Sequence, residues 1–228
     1  MKNLPIITLV FLVFALGCGL QGRLANLTSN TGTGPATGPS SGSDAAPPSG
    51  NPRDDVVAMS KKFLDVQKFS AKMDGQGAKE LHMKLDYVAP DRFHMFFFDN
   101  NGGVKTETVM IAKDMYIRMG GRWQKLPNTL GDKQIINMRD MFNEEGLKAL
   151  KEVKKEGDET IDGQTTHVYS YQTTQTTSNL PYPYTSKIWV ATSDGLPKKI
   201  EVTYDGGDLK SMSIVYDYSD SISVEPPV

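Results

Sequence analysis

The alternation of apolar and polar side chains across residues 79–126 restricts the possible folds of this chain more than any other feature. Leu81, Met83, Leu85 and Tyr87 alternate with Glu80, His82, Lys84 and Asp86. A period of two marks an extended strand with one dry and one wet face, because successive side chains of a strand point to opposite sides. Pro90 interrupts, and Phe93, Met95 and Phe97 resume the pattern. Asn100-Asn101-Gly102-Gly103 then turns the chain, since Asn and Gly accept positive φ cheaply. Met110 lies in the next run, and Met115, Ile117 and Met119 share one side of the run after it. Gly120-Gly121 leads into Arg122-Trp123-Gln124-Lys125. The stretch predicts a β-meander whose apolar face, rich in Met and aromatic residues, needs a cover.

Strands are also predicted on both sides of this meander. Residues 68–74 place Phe69, Ala71 and Met73 on one side. Residues 165–172 carry Tyr169 and Tyr171, and residues 186–191 set Ile188 and Val190 opposite Trp189. Ile200, Val202 and Tyr204 alternate before the Asp205-Gly206-Gly207 turn, and Met212, Ile214, Tyr216 and Tyr218 form a last apolar face. Residues 173–184 read as a polar loop. Helix is predicted over residues 54–66, capped by Asp54 or Asp55, with Val57, Phe63 and Leu64 as its apolar stripe and Met59 and Val66 alongside. Residues 128–155 lose alternation and read as helical around Ile135, Ile136, Met138, Met141, Phe142, Leu147 and Leu150. The sum is an α+β fold, mainly β: a highly curved antiparallel sheet, an incomplete barrel, with helices covering its concave face.

The N-terminus reads differently. Met1-Lys2 precedes an apolar run over residues 4–16, which has the length of a signal-peptide core and is short for a membrane span. The chain's single cysteine, Cys18, follows directly after Gly17. Ala15-Leu16-Gly17-Cys18 resembles the bacterial lipobox, which implies acylation of Cys18 and cleavage before it. Acyl chains contribute about 0.8 kcal/mol per buried CH₂, so several together make a durable anchor. Residues 28–52 are dominated by Gly, Ser, Thr, Ala and Pro and bury too little to offset ordering entropy. A flexible coil of this length spans on the order of 30 Å. The expected organisation is a lipoprotein signal peptide at 1–17, an acylated Cys18 and linker at 18–52, and one folded domain at 53–228.

Several function classes find no support. Net charge is −2 with acids and bases interspersed, and no basic stripe suits nucleic acid. A lone cysteine allows neither an internal disulfide nor a Cys-based zinc site. His82, His94 and His167 have no carboxylate at metal-binding spacing and read as surface residues, and Glu107 and Glu201 read as charges on a solvated face. No nucleophile elbow, phosphate loop or zinc-protease helix is present, so no catalytic residue, metal or cofactor is expected.

Three motifs carry a resemblance to a known superfamily. Tyr87-Val88-Ala89-Pro90-Asp91-Arg92-Phe93 is similar to its proline-to-phenylalanine strand entry. The run from Ala112 through Tyr116 and Gly120-Gly121 to Trp123 is similar to its Tyr, Gly-turn, Trp hairpin. Lys187-Ile188-Trp189-Val190 with Asp194-Gly195-Leu196-Pro197 is similar to its late Trp strand and turn. The chain resembles, over residues 54–220, the LolA-like and LppX/LprG-type lipoproteins, the superfamily of outer-membrane lipoprotein-sorting proteins. One departure is His94 after Phe93, where the carrier has an arginine that helps hold its lid.

The resemblance implies an incomplete barrel whose hollow takes acyl chains, without catalysis. It implies a membrane-anchored bacterial lipoprotein of the cell envelope, its folded domain extracytoplasmic, that binds lipid or lipoprotein acyl chains for transport. The alternative is an envelope sensing or protein-interaction module with a filled core. Strand phase gives the candidate lining: Leu81, Met83, Leu85, Phe93, Met95, Met110, Met115, Ile117, Met119, Ile200, Val202, Met212, Ile214 and Tyr216. Trp123 and Trp189 join them either as cavity-mouth residues or as core. Expected partners are the lipid ligand, the membrane and possible envelope proteins.

Overall fold

The computed structural model describes residues 49–78, 80–127, 142, 144–173 and 182–227. Helix α1 (Pro52–Leu64) precedes strands β1 (Lys68–Gly77), β2 (Leu81–Val88), β3 (Arg92–Phe98), β4 (Val104–Ile111), β5 (Asp114–Met119) and β6 (Arg122–Pro127). A short α2 (Glu144–Lys148) leads into β7 (Leu150–Ile161), β8 (Gln164–Thr173), β9 (Tyr184–Ala191), β10 (Pro197–Tyr204) and β11 (Leu209–Asp217). All eleven strands form one sheet, in the order β6-β5-β4-β3-β2-β1-β11-β10-β9-β8-β7. Each neighbouring pair is antiparallel. Two meanders are thus joined along a single seam, β1 against β11, and the sheet does not close into a barrel.

The sheet curls because its ladders slip. Register shifts occur at Gln76/Gly77, Phe97/Phe98 and Pro197/Lys199, and bulges of this kind bend a strand and raise its twist. Gly77 is required at the first: a Cβ there would stand 1.9 Å from the Asp208 carbonyl oxygen. The concave side carries one continuous core running from Met115 on β5 to Tyr169 on β8.

Helix α1 lies on that concave side. The Asn51 side chain caps it by accepting the Arg53 N–H at 3.0 Å, with Pro52 in the first turn. Asp54 and Asp55 at its start and Lys61 and Lys62 at its end oppose the helix dipole. The expected cap at Asp54 or Asp55 is therefore displaced to Asn51, because Pro52 starts the helix earlier. Its buried face is Val56, Met59, Ser60 and Phe63, not Val57 and Leu64. The Phe63 ring meets Phe69 and Phe142 at 5.2 Å and Tyr216 at 5.3 Å. Arg53 donates to the carbonyls of Leu147 (2.8 Å) and Leu150 (2.6 Å), tying the helix to the start of β7.

The helical expectation for residues 128–155 is corrected at its end. From Leu150 the chain is strand β7, and α2 is a single short turn of helix. Its Lys- and Glu-rich sequence masks the alternation because β7 is an edge strand, largely exposed and broken by two register shifts. Charges and bulges suit an exposed edge, since they block pairing with another sheet. Residues 128–141 and 174–181, which carry the rest of the expected helix and loop, lie outside the described residues, as do Cys18 and most of the expected linker.

Candidate functional site

The candidate site is the concave face, and strand register assembles it. One row runs Tyr87, Phe93, Met110, Met115, Leu126 across β2 to β6. The next runs Leu85, Met95, Thr108, Ile117. A third crosses the seam: Met83, Met73, Ile214, Ile200, Ile188, Tyr169. A fourth runs Leu81, Gly75, Met212, Val202, Ser186, Tyr171. At the concave positions of β1 to β5 no charged residue stands, so this half offers dispersion contacts and no ion pairing.

Register therefore puts Leu81, Met83, Leu85, Phe93, Met95, Met110, Met115, Ile117, Met119, Ile200, Val202, Met212, Ile214 and Tyr216 on one face. Trp123 and Trp189 are on the other. Trp123 pairs with Arg118 and lies beside His94 on the convex side. Trp189 donates its indole N–H to Glu159 at 2.8 Å and lies under the ammonium groups of Lys187 and Lys199, 4.6 and 4.8 Å from its ring. The alternation itself required this, because Ile188 and Val190 flank Trp189. The sequence reading passed over Met73, Tyr87, Phe97 and Leu126, which share the phase of residues it chose.

Burial grades across the face. Ile188, Ile200 and Ile214 are fully buried, on the half that includes the seam and the C-terminal meander. In β2 to β5 burial falls along the strands: Tyr87, Phe93, Met110 and Met115 are buried, Leu81, Met95, Phe97 and Ile117 are half-buried, and Met119 is 44% exposed. Met side chains suit such a graded surface, because three rotatable bonds and a polarisable sulfur fit varied apolar shapes.

The C-terminal meander adds hydroxyls. Tyr169 donates to Asp55 on α1 at 3.0 Å. Burial pushes the Asp55 carboxyl up, but hydrogen bonds from Ser49 and Tyr169 outweigh it and hold the group below its ordinary range. Burial drives the phenols of Tyr171, Tyr204 and Tyr216 well above their ordinary range, so they stay neutral donors.

The convex face carries the charge. His82 bonds Asp74, His94 bonds Glu107, and His167 bonds Asp158, at 2.9, 2.9 and 2.7 Å. Glu107 corrects the expectation of a solvated charge: it is buried between His94 and Arg118, the latter at 3.0 Å. Alternation identifies its face but not the aromatic and cationic neighbours that cover it. Among the described residues no three His, Cys, Asp or Glu side chains converge as a metal site.

No protein-family model matches the chain, and no curated protein matches it in sequence. Solved structures do match in fold. The lipoprotein LppX of Mycobacterium tuberculosis superposes with a TM-score of 0.59 at 10% identity, covering 76% of this chain and 98% of that one. LprF of Mycobacterium bovis superposes with a TM-score of 0.57 at 13% identity, covering 79% and 98%. The fold is thus one shared with LppX and LprF, as the sequence motifs led one to expect. Among the described residues no helix is long and apolar enough to cross a membrane.

Proposed function

We propose that this chain is a membrane-anchored bacterial lipoprotein whose curved sheet binds the acyl chains of a lipid or of a lipoprotein, for transport within the cell envelope. The observation that carries the reading is the uncharged, Met- and Phe-rich concave face of β1 to β5, on which Leu81, Met95, Phe97 and Ile117 are only half-buried. Each Å² of apolar surface removed from water there stabilises a complex by about 25 cal/mol. The likeness to LppX, itself a lipoprotein, supports the assignment to the envelope. Cys18 supplies the anchor and the linker holds the domain off the membrane surface. The domain acts by binding rather than by catalysis.

A second reading, a protein-interaction module with a filled core, is favoured by one observation. Phe63 and its aromatic neighbours pack the helix-bearing half of the face tightly. Native mass spectrometry of the full-length protein, with extraction of bound lipid, separates the two. Co-purifying acyl lipid that is lost in Met95→Asp or Ile117→Asp is the expected result. A lipid-free mass, with no uptake of a fluorescent fatty acid, overturns the carrier reading in favour of the module.

A further inference from the structure

Strand direction gathers one set of turns at one end of the sheet. Because neighbours are antiparallel, the turns after β1, β3, β5 and β10 all fall there, together with the end of β8 and the start of β7. Helix α1 starts at this end. Arg53 donates to the Leu150 carbonyl, and Leu150 stands level with Thr173, Tyr184 and Tyr204 at the tips of β8, β9 and β10. Phe63, near the close of the helix, meets Phe69 at the other end of β1. The chain therefore enters the domain beside these turns, at Ser49, whose N–H bonds Asp55. Half-buried Leu81 and Phe97 and exposed Met119 lie towards the same end, so the hollow opens where the chain enters.

Three of the four large apolar side chains exposed among the described residues are also here: Val104 (53%), Met119 and Tyr182 (42%). The β4–β5 ladder ends at Glu107 and Arg118, so the tips that carry Val104 and Met119 part. Between them is a cleft of about 420 Å³, lined by Lys105, Arg118, Gly120 and Gly121. Lys105, Arg118 and Arg122 are exposed, while Glu107 is buried under Arg118. Asp99 spends its carboxylate on the N–H groups of Asn101 and Gly103 in its own turn. Across the mouth, the Tyr182 ring fills the space that a Cβ on Gly206 or Gly207 would need, which holds it at the rim. The exposed acids of this end, Glu80, Asp205 and Asp208, are on the turns flanking the seam, away from the cleft.

Apolar tips beside exposed cations suit a lipid surface, where the apolar groups leave water and Lys or Arg meets anionic headgroups. Resting on the anchored-carrier reading above, we infer that this rim docks on the membrane that holds Cys18. Val104 and Met119 enter the headgroup layer, Lys105 and Arg122 face its phosphates, and Tyr182 makes a second contact across the mouth. The point of chain entry selects lipid over a protein partner, because a membrane held through Cys18 is tied to the rim's own end of the domain. The linker that lets the domain stand off also lets it return, and the rim decides which end returns.

The test reconstitutes full-length protein in vesicles of phosphatidylcholine and phosphatidylglycerol. A spin label is placed at Met119→Cys, at Tyr182→Cys or, as a control on the exposed turn at the opposite end, at Lys113→Cys. Its collisions with oxygen and with a water-soluble nickel chelate are measured against unsubstituted protein. Labels at 119 and 182 are expected to gain oxygen contact and lose nickel contact, at a depth of about 5–10 Å, while the label at 113 stays in water. Adding Val104→Glu, or Lys105→Glu with Arg122→Glu, should return the label at 119 to water with the circular dichroism spectrum unchanged. Labels at 119 and 182 that stay in water overturn the rim. So does loss of contact with both reagents, which means that protein covers it. Uptake of a fluorescent fatty acid, read in the same sample, separates the two readings: uptake with a water-exposed rim leaves the carrier standing, and a docked rim without uptake overturns the carrier and keeps the docking surface. Protein that fails to float with the vesicles overturns anchor and rim together.

Discussion

Phe63 is the side chain on which the covered half of the sheet depends. It is fully buried and meets three aromatic rings from β1, β11 and residue 142. Truncating such a residue removes its transfer energy and leaves a cavity that rigid aromatic neighbours fill poorly. Phe63→Ala is expected to lower stability by about 3–5 kcal/mol, read from the midpoint of a urea melt. Trp189 provides the converse case. Its ring is held on the convex side by Glu159, Lys187 and Lys199, so Trp189→Phe should leave acyl-probe uptake at the wild-type level, whereas Met95→Asp should abolish it. The side of a strand on which a residue lies is legible from alternation, as Met83, Met95 and Ile200 show. What presses on that side from elsewhere is not. Glu107 alternates like any solvated acid, yet Arg118 and His94 close over it.

At the scale of elements, α1 is fixed by its ends and by two bonds to the sheet, Arg53 to the Leu150 carbonyl on β7 and Tyr169 on β8 to Asp55. Asn51→Ala removes the cap and is expected to cost about 1 kcal/mol, measured by chemical denaturation. Asp55 links the helix to β8 through Tyr169, and its folded pKa lies below the ordinary carboxylate value. A depressed carboxylate contributes stability that is present above its unfolded pKa, about 3.9, and lost as pH falls through the folded value. Asp55→Asn should therefore flatten the acid limb of the stability–pH curve below about pH 4 and leave its slope near neutrality unchanged. Strong, clean alternation made the interior strands legible. Strand β7 escaped because an exposed edge tolerates charge at nearly every position, which removes the signal that the period-two reading depends on.

For the whole molecule, the proposed anchor at Cys18 and the folded sheet are separated in sequence by a run of small residues. Cys18→Ser is expected to move the protein from the membrane fraction to the soluble fraction of cell lysates, with the domain's circular dichroism spectrum unchanged. Continued membrane association of that variant would place the attachment elsewhere. The likeness to LppX and LprF covers about three quarters of the chain, and the N-terminal composition accounts for most of what lies beyond it.

The seam between β1 and β11 has a consequence in time. Ser70 finds its partner in Asp217, so the two meanders become one sheet only after nearly the whole chain is available. Until then each meander is a local structure that its own hairpins can build quickly, and β1 presents a bare edge. The join is the slowest step that topology imposes, because closing so long a loop precedes any reward from it. Pulse-labelled hydrogen exchange during refolding should thus protect the amides of β2–β4 and β8–β10 before those paired across β1 and β11. A chain emerging N-terminus first would spend that interval with half of its hollow built and the other half still to arrive.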